Sequence, residues 1–334
     1  MTVAIAIIGA GFMGSNHARV LRDVPAARLS VVVDRDAARA KALAYEHGCF
    51  WATSLVEVPS DVDAAIVATP TPAHHEVAVE AMSRGWDVLV EKPLASDVFQ
   101  ARDVVACAEA TDRVLAVGHI ERFNPACLDL RRFVTVPTFI QTQRLSPFDD
   151  RVREGVVRDM MIHDVDVVLS LAQSSPKRIA AEVAHDRSLT EDLAVATIVF
   201  DSGLVAQMTA TRVGQDKVRR MTIVQRESVV DVDLLRQDIT IRRQATTEYP
   251  EEGARRLKEA SVVEIPYLEH RGEPLLLELV DFVDAAARHR SPLVDGRSGL
   301  ASLEVCEGIL RAAAVNRELA EPIVLRDRAG ARAR

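Results

Sequence analysis

The sequence predicts an α/β protein with an N-terminal doubly wound parallel sheet and a C-terminal α+β domain with an open, mainly antiparallel sheet. Two observations predict the first part: continuously apolar runs alternate with helical patterns as far as residue 118, and a glycine turn follows the first run. The second part is predicted by apolar-rich runs that succeed one another from residue 177 to about residue 243 with no helix between them. A length of 334 residues favours two domains, which we place at residues 1–120 and 121–325, followed by a flexible tail at 326–334.

The first domain contains five apolar runs of the kind that form strands buried on both faces of a parallel sheet. Helical patterns between them predict crossover helices, and such crossovers are right-handed. The predicted strands are residues 3–9, 29–34, 63–69, 86–91 and 113–118. Of the four predicted helices, the first runs from the glycine turn to about residue 23, the second follows residue 34, and the other two cover residues 73–84 and 96–110.

The second domain begins with helical patterns and continues with strands. In EDLAVATIVFDSGLVAQMTATR, residues 191–212, the tripeptide Asp-Ser-Gly joins two apolar-rich runs and predicts a hairpin. Residues 244–260 are polar and charged, so we expect a mobile loop there. Further helices are predicted over residues 124–133, 158–172, 273–289 and 298–318.

Composition argues against several classes of protein. The net charge is −8 and no long basic block precedes the tail, so no nucleic-acid partner is expected. No apolar run approaches the ~20 residues of a membrane span, so no membrane association is expected. The absence of a CxxC pair argues against structural zinc and a disulfide framework, and for a reducing compartment such as the cytoplasm. The scattered cysteines are Cys49, Cys107, Cys127 and Cys306.

The hexapeptide GAGFMG follows the first apolar run and opens the first helix. Its spacing predicts a dinucleotide-binding turn, in which Gly9 permits the tight turn, Gly11 lets the backbone approach a pyrophosphate, and Gly14 lets helix and strand pack closely. Phe12 and Met13 belong to the same turn, and the helix N-terminus supplies free N–H groups to the phosphates. The alternative is that these glycines serve an ordinary tight turn.

Asp34 ends the second predicted strand, twenty residues after the last glycine of this motif. An acid at this position accepts hydrogen bonds from the ribose hydroxyls and repels a 2′-phosphate, so NAD is favoured over NADP. The neighbouring Arg35 weakens that preference, because an arginine there can accommodate the phosphate.

The segment WDVLVEKPLA places Glu91, Lys92 and Pro93 at the carboxyl end of a predicted parallel strand, where ligands bind in such sheets. There Lys92 can donate a hydrogen bond to a substrate oxygen, and Glu91 lies beside the cofactor cleft. The alternative is a surface lysine paired with Glu91.

The preceding strand ends in ATPTPAHHEVA, residues 68–78. We expect this loop, with Thr69, Pro70 and His74, to lie near the nicotinamide half of the cofactor. His74 is equally compatible with a structural residue at the start of the next helix.

In RDMMIHDVD, residues 158–166, Asp159 and His163 are four residues apart and share a helix face, with Asp166 close to it. Three interpretations remain open: a metal site, a catalytic base with a helper, or the polar edge of a core helix. No further metal ligands are evident in the sequence, so we predict no metal.

Taken together, GAGFMG with Asp34, ATPTPAHH, EKP, GHIERFNP (residues 118–125) and DMMIHDVD resemble the Gfo/Idh/MocA oxidoreductases over most of the chain. The resemblance implies an N-terminal Rossmann domain, a C-terminal sheet that forms oligomer contacts, and a sugar or cyclic polyol as substrate. It also implies that Lys92 contacts the reacting oxygen and that Asp159 and His163 form an aspartate–histidine pair. Many relatives have glycine where this chain has Met161.

GHIERFNP and MMIHD are most similar to the branch of that family that oxidises the 3-hydroxyl of UDP-N-acetylglucosamine. This similarity implies that Arg122 and Asn124 lie near the substrate, and that Arg144 and either Arg151 or Arg153 meet a diphosphate. The alternative substrate is a free cyclic polyol or hexose such as an inositol. An alternative of another class is a non-catalytic dinucleotide sensor. We expect a homodimer or homotetramer.

Oxidation of an alcohol by NAD requires a base for the hydroxyl proton and a positive group for the developing alkoxide. His163 is the better candidate for the base, because an unperturbed imidazole titrates near neutrality. Asp159 then orients it or binds a neighbouring hydroxyl, and Lys92 stabilises the oxygen. The reverse assignment, with Lys92 as the base, stays open from the sequence.

Overall fold

The computed structural model describes residues 2–149, 154–251 and 254–319. Its first sheet has six parallel strands in the order β3-β2-β1-β4-β5-β6, so the direction of winding reverses between β1 and β4. This confirms the predicted doubly wound sheet. Its strands are β1 (Val3–Ile8), β2 (Ala27–Val33), β3 (Phe50–Ala52), β4 (Ala64–Val67), β5 (Asp87–Glu91) and β6 (Leu115–Gly118).

Four helices cross between these strands. They are α1 (Phe12–Leu21), α2 (Ala37–His47), α3 (His74–Ser83) and α4 (Val98–Thr111). All residues of β1, β4, β5 and β6 are buried, which explains why their sequences are apolar apart from Asp87 and Glu91 at the two ends of β5. The edge strand β3 was not predicted, because Phe50 and Trp51 are exposed and the strand is only 3 residues long.

The second sheet has eight strands in the order β14-β13-β12-β11-β7-β10-β9-β8. Only the pair β7–β10 is parallel, so the prediction of an open, mainly antiparallel sheet is confirmed. The predicted hairpin is formed by β9 and β10. The strands are β7 (Pro137–Leu145), β8 (Pro176–Ala184), β9 (Leu193–Phe200), β10 (Val205–Thr211), β11 (Val218–Gln225), β12 (Ser228–Asp233), β13 (Asp238–Glu251) and β14 (Ala254–Glu264).

Strand β7 lies in the middle of this sheet and was not predicted from the sequence. Its buried positions alternate as a strand requires, at Ile140, Thr142 and Arg144. Two of these three residues are polar, so the apolar alternation by which a strand is recognised is absent.

The expectation of a mobile loop at residues 244–260 is wrong for its described part. The backbone there continues β13 and β14, which pair in antiparallel register from Ile241↔Glu264 to Glu251↔Ala254. Backbone hydrogen bonds can extend a hairpin beyond the sheet's apolar face, and polar composition does not prevent this. The predicted tail at residues 326–334 lies outside the described residues.

The helices of the C-terminal half connect the two sheets. Leu275, Leu279 and Phe282 of α7 pack in the same apolar core as Ile5 and Ile7 of β1. Helix α7 therefore packs on the first sheet, although it lies more than 150 residues after the last strand of that sheet in the sequence. The domain boundary at residue 120 stays a prediction. The remaining helices are α5 (Pro125–Asp129), α6 (Ile162–Ala172), α7 (Pro274–Arg288) and α8 (Gly296–Leu319), with short 3-10 turns at Ile120–Phe123 and Leu130–Arg132 and a π-helical turn at Val157–Met161.

In the part of the chain that the structure describes, no helix has both the length and the apolar character to cross a membrane.

Candidate active site

The glycine turn has the geometry that its sequence predicts. Gly9 has φ +106°, and a Cβ there would lie 2.5 Å from the carbonyl oxygen of Ala68. A Cβ on Gly14 would lie 1.8 Å from the carbonyl oxygen of Gly9, so helix α1 can approach β1 only without a side chain. A Cβ on Gly11 would meet nothing within 4 Å. The turn therefore keeps open backbone at Gly11, in front of the N-terminus of α1.

The other two residues of the turn differ in exposure. Phe12 begins α1 and is 84% exposed, while Met13 packs partly against the core of the first sheet. Phe12 is therefore accessible to a bound molecule at this turn, and Met13 contributes mainly to packing.

Asp34 joins the glycine turn to the segment that leads into α2. Oδ2 accepts a hydrogen bond from the backbone N–H of Ala10 (2.7 Å), and Oδ1 accepts one from that of Asp36 (2.8 Å). A cleft of ≈ 610 Å³ begins here, lined among others by Gly9, Asp34, Arg35, Arg39, Thr69 and Pro70. The cleft, the acid and the open glycine fit the adenosine side of a dinucleotide. Arg39, in the first turn of α2, was not predicted from the sequence.

His74 does not line this cleft. It is 1% exposed, and its ring nitrogens lie 2.8 Å from the carbonyl oxygens of Thr69 and Pro93. The contact joins the loop after β4 to the loop after β5. The structure thus favours the structural interpretation of His74 over a direct cofactor contact, because both ring nitrogens are already engaged by backbone.

Glu91 is likewise turned inward. Its Oε1 lies 2.7 Å from Nε2 of His17, a fully buried residue of α1. Burial opposes ionisation, but the hydrogen bond and charge of His17 keep the pKa of Glu91 below its ordinary value. Glu91 therefore anchors the end of β5 to α1. Lys92 does not pair with it, so the alternative of a surface Lys92–Glu91 pair is wrong.

Lys92 reaches across to the second half of the chain. Its Nζ donates hydrogen bonds to the backbone carbonyl oxygen of Asp159 (2.7 Å) and to its Oδ1 (2.8 Å). Asp159 lies in the π-helical turn that precedes α6, a conformation often found at functional sites. An ammonium group has three N–H donors, so one remains available for a ligand.

His163 follows one turn later and lines the same pocket as Lys92 and Asp159. Its Nδ1 is buried and has no hydrogen-bond partner among the described residues. The ring of His119 packs edge-to-face against it, with centroids 6.4 Å apart. Burial, reinforced by the positive charges of Lys92 and Arg144, holds the pKa of His163 well below its ordinary value. The imidazole is therefore neutral at neutral pH and can accept a proton.

His119 was not predicted from the sequence. It lies immediately after β6, is fully buried, and neither ring nitrogen has a hydrogen-bond partner among the described residues. Burial lowers the pKa of His119. A single histidine after an apolar strand carries no sequence signal that separates it from an ordinary core residue.

The pocket around His163 has a volume of ≈ 200 Å³ and is lined mainly by polar and charged side chains. Of its basic residues, Lys92 and Arg144 were predicted from the sequence. Arg212, Lys217 and Arg219, which belong to the antiparallel sheet and its loops, were not predicted. Basic residues in alternating strands are usually solvent-facing, so the pattern gave no reason to select them.

Arg144 lines the pocket, but its guanidinium group is bonded to two buried carboxylates. It is 3% exposed, and its guanidinium bonds to Asp164 (2.7 Å) and Glu121 (3.0 Å). Burial opposes its charge, yet these two carboxylates raise the pKa of Arg144 above its ordinary value. A role as a freely moving diphosphate ligand does not fit this arrangement. The other predicted diphosphate ligands, Arg151 and Arg153, lie outside the described residues.

The expectation that Asn124 contacts the substrate does not fit the structure. The Asn124 side chain caps α5 by accepting from the N–H of Ala126 (3.1 Å), and its Nδ2 donates to the carbonyl oxygen of Leu234 (2.9 Å). The side chain is 3% exposed. The physical reason is in the sequence itself, because Asn followed by Pro is a strong helix-start signal.

Arg122 pairs with Asp166 rather than lining the pocket. The distance from Nη1 of Arg122 to Oδ1 of Asp166 is 3.3 Å, and Ser302 of α8 also approaches that oxygen (3.5 Å). Asp166 therefore joins α6 to the segment after β6 and to α8. In the described ranges, no group of three or more His, Cys, Asp or Glu residues is arranged to hold a metal ion.

Both halves of the chain match models of known protein families. Residues 3–119 match the family model described as "Oxidoreductase family, NAD-binding Rossmann fold", and residues 134–228 match the "GFO/IDH/MocA C-terminal domain". The two matched ranges together cover more than half of the chain.

Relatives with curated descriptions cover nearly the whole length. The chain is 32% identical to UDP-N-acetylglucosamine 3-dehydrogenase of Acidithiobacillus ferrooxidans over 295 residues, which are 88% of this chain and 91% of that protein. It is 28% identical to scyllo-inositol 2-dehydrogenase (NAD(+)) of Bacillus subtilis over 330 residues, which are 91% and 92% of the two chains.

Solved structures agree with these matches. A structure of the Acidithiobacillus ferrooxidans UDP-N-acetylglucosamine 3-dehydrogenase superimposes with a TM-score of 0.85 at 30% identity, covering 94% of this chain and 99% of that one. A levoglucosan dehydrogenase in complex with NADH and levoglucosan superimposes with a TM-score of 0.80 at 18% identity, covering 94% and 98%. At that identity the second match shows the fold alone.

The two helix-facing glycines should respond differently to alanine. Gly11→Ala places its Cβ in open space, so apart from the small cost of alanine at the N-cap of α1 we expect little change in the melting temperature, but NADH binding weaker by about tenfold or more, equivalent to about 1.4 kcal/mol. Gly14→Ala drives a Cβ into backbone and should lower the melting temperature. Thermal unfolding and NADH fluorescence titration measure both. Equal NADH affinity in Gly11→Ala and the parent would contradict the assigned role of Gly11.

Removing Arg144 should destabilise the protein. Arg144→Met leaves Asp164 buried without its cation and leaves Glu121 with only the part-exposed Arg219, and we expect the free energy of unfolding to fall by about 3–5 kcal/mol. Urea denaturation measures the change. Arg220→Met, on the exposed face of β11, is the control and should change stability by less than about 0.5 kcal/mol. A similarly small effect for Arg144→Met would show that the buried cluster does not need this charge.

Proposed function

The chain belongs to the Gfo/Idh/MocA family of NAD-binding oxidoreductases, and we propose that it oxidises the 3-hydroxyl of a UDP-N-acetylhexosamine to the 3-keto sugar. The observation that carries this proposal is the meeting of Lys92, Asp159 and His163 in one pocket beyond the carboxyl ends of the parallel strands. The choice of substrate is supported by 32% identity to a UDP-N-acetylglucosamine 3-dehydrogenase over 88% of the chain.

His163 is assigned as the general base. Its lowered pKa keeps the imidazole neutral at the pH where the reaction runs, so it can take the proton of the substrate hydroxyl. Bound NAD supplies the hydride acceptor. His163 faces the pocket from α6, while the glycine turn and Asp34 lie on the cofactor side.

Lys92 is assigned to the reacting oxygen. Two of its N–H groups are directed to Asp159, which fixes the position of the ammonium, and the third can donate to the substrate oxygen as negative charge develops there. Asp159 thus acts on the substrate through Lys92. This division of roles favours His163 over Lys92 as the base, because Lys92 already serves as a donor.

A second candidate is a dehydrogenase of a free cyclic polyol. It is favoured by 28% identity to scyllo-inositol 2-dehydrogenase (NAD(+)) over 91% of the chain. A non-catalytic sensor is less well supported, because such a protein has no need for the complete set of Lys92, Asp159 and His163.

Two finer features belong to the same proposal. We infer a cytoplasmic enzyme, supported by four cysteines that are all free in the structure. We also infer a homodimer or homotetramer, supported by the open second sheet, on whose exposed edge strand Val262 is 41% and Val263 is 59% exposed.

A substrate screen tests the proposed reaction. NADH formation at 340 nm is compared for UDP-N-acetylglucosamine, UDP-N-acetylgalactosamine, scyllo-inositol, myo-inositol and free hexoses, with NAD and NADP as alternative oxidants. We expect turnover with a UDP-N-acetylhexosamine and NAD. Turnover with an inositol alone would replace this proposal by the second candidate.

Substitutions at the two central residues should reduce chemistry and spare cofactor binding. His163→Ala and Lys92→Ala should each lower kcat by about 100-fold or more, since each removes a group that acts on the transition state. The dissociation constant for NADH, measured by fluorescence titration, should stay within about twofold of the parent. An unchanged kcat in both variants would contradict the roles assigned to His163 and Lys92.

The pH dependence follows from the lowered pKa of His163. An unfolded chain takes up the histidine proton near pH 6.5, before the folded protein does. The contribution of His163 to stability is therefore present above pH 6.5 and decreases as the pH falls below it. The acid limb of kcat/KM should likewise lie below pH 6.5, as measured by initial rates at saturating NAD. An acid limb at or above pH 6.5 would contradict His163 as the base.

A further inference from the structure

The pocket that contains Lys92 and His163 extends toward β11, where two basic residues line it. These residues are Lys217, which immediately precedes β11, and Arg219, two residues further on the same face of the strand. The side chain of Arg219 is 43% exposed, and Lys217 is also exposed. Neither residue is needed for the chemistry assigned to Lys92 and His163.

Arg219 lies beside another arginine. Residues Arg219 and Arg144 are directly opposite each other in the antiparallel pair β11–β7, and like charges in that relation repel. One oxygen of Glu121, Oε1, accepts from both guanidinium groups at 3.0 Å. Arg144 has Asp164 as a second carboxylate, whereas among the described residues Arg219 has only this shared oxygen. Arg219 therefore keeps N–H groups directed toward the pocket that a further anion can use.

Lys217 has no hydrogen-bond or ion-pair partner within the described ranges. By contrast, Arg212 in the same pocket wall is 4% exposed, pairs with Asp192 (3.0 Å) and donates to the carbonyl oxygens of Glu154 and Glu191. The basic residues of the pocket thus divide into two kinds. Arg144 and Arg212 hold the structure together, and Lys217 and Arg219 have capacity for a ligand.

We propose that Lys217 and Arg219 bind the diphosphate of a nucleotide-sugar substrate and thereby select it over a free sugar. This inference rests on the proposed function for the identity of the sugar. A diphosphate presents anionic oxygens that suit an ammonium and a guanidinium group, and charge-assisted hydrogen bonds of this kind are strong. The sugar ring lies between the two ends of the pocket, with its reacting hydroxyl at Lys92 and His163 and its phosphates toward β11.

The same placement explains how one fold can serve free and nucleotide-linked sugars. Contacts at Lys92, Asp159 and His163 act on a hydroxyl group, which every sugar or polyol carries. Contacts at Lys217 and Arg219 act on a charge that only a phosphorylated substrate carries. Lys217 and Arg219, which precede and begin β11, therefore determine the class of substrate, and Lys92, Asp159 and His163 determine the reaction.

The test uses Lys217→Met and Arg219→Met in the full chain, with Arg220→Met as the matched control. Arg220 is the next residue of β11, faces the opposite side of the sheet and pairs with Asp233 (3.6 Å). UDP binding to the NADH-loaded protein is measured by calorimetry, and kcat and KM are measured with UDP-N-acetylglucosamine. Because Arg219 also contacts Glu121, Arg219→Lys is included to keep the charge.

Each charge-removing substitution should weaken UDP binding and raise KM by about tenfold, with kcat at saturation changed by less than about threefold. Arg219→Lys should keep most of the affinity, and Arg220→Met should match the parent. The KM of the parent should rise with salt concentration and that of the double variant should respond less.

The outcomes separate this inference from the proposed function. If the parent oxidises UDP-N-acetylglucosamine but both Met variants bind UDP as tightly as the parent, the inference is overturned and the proposed function stands. If the parent binds UDP through these two residues but forms no NADH with any UDP-sugar, the proposed reaction is overturned and the diphosphate site stands. A parent that neither binds UDP nor oxidises a UDP-sugar overturns both.

Discussion

The contact between Lys92 and Asp159 is the interaction on which the candidate site depends. Lys92 follows the last residue of β5 in the first sheet, and Asp159 lies in the π-helical turn that leads into α6 beneath the second sheet. Neither half of the chain forms the site alone. The contact holds the ammonium group in the pocket that His163 also lines, so the geometry of the candidate site follows from how the two halves pack together.

Buried charge is the second constraint on this protein. Glu121, Arg144 and Asp164 form a cluster beneath the sheet, and Arg122 with Asp166 forms a separate pair nearby. Each charge there has a partner of opposite sign, as burial requires. Whether a charged side chain already has such a partner distinguishes residues that stabilise the fold from residues that can bind a ligand. By this criterion Arg144 and Asn124 are not available for contacts to a substrate, whereas Lys217 and Arg219 are.

Much of the fold could be predicted because its signals are local in sequence. The glycine spacing requires close backbone approach at Gly9 and Gly14, and buried parallel strands require continuous apolar runs. Strand β7 could not be recognised, because Thr142 and Arg144 occupy its inward positions. The described part of residues 244–260 was misassigned, because backbone hydrogen bonds hold this hairpin together and do not require an apolar sequence.

The sequence by itself determined the family and the cofactor turn, and it selected Lys92, Asp159 and His163 as candidates, because each lies in a short motif whose chemistry depends on neighbours in the chain. Only the tertiary structure decided which polar groups were free. His74 and Glu91 stand in the expected motifs, yet both are turned inward to backbone and His17. Lys217 and Arg219 stand in no motif, yet they line the pocket. Whether a side chain has a partner depends on contacts between distant segments, and that information appears only once the strands have been assembled.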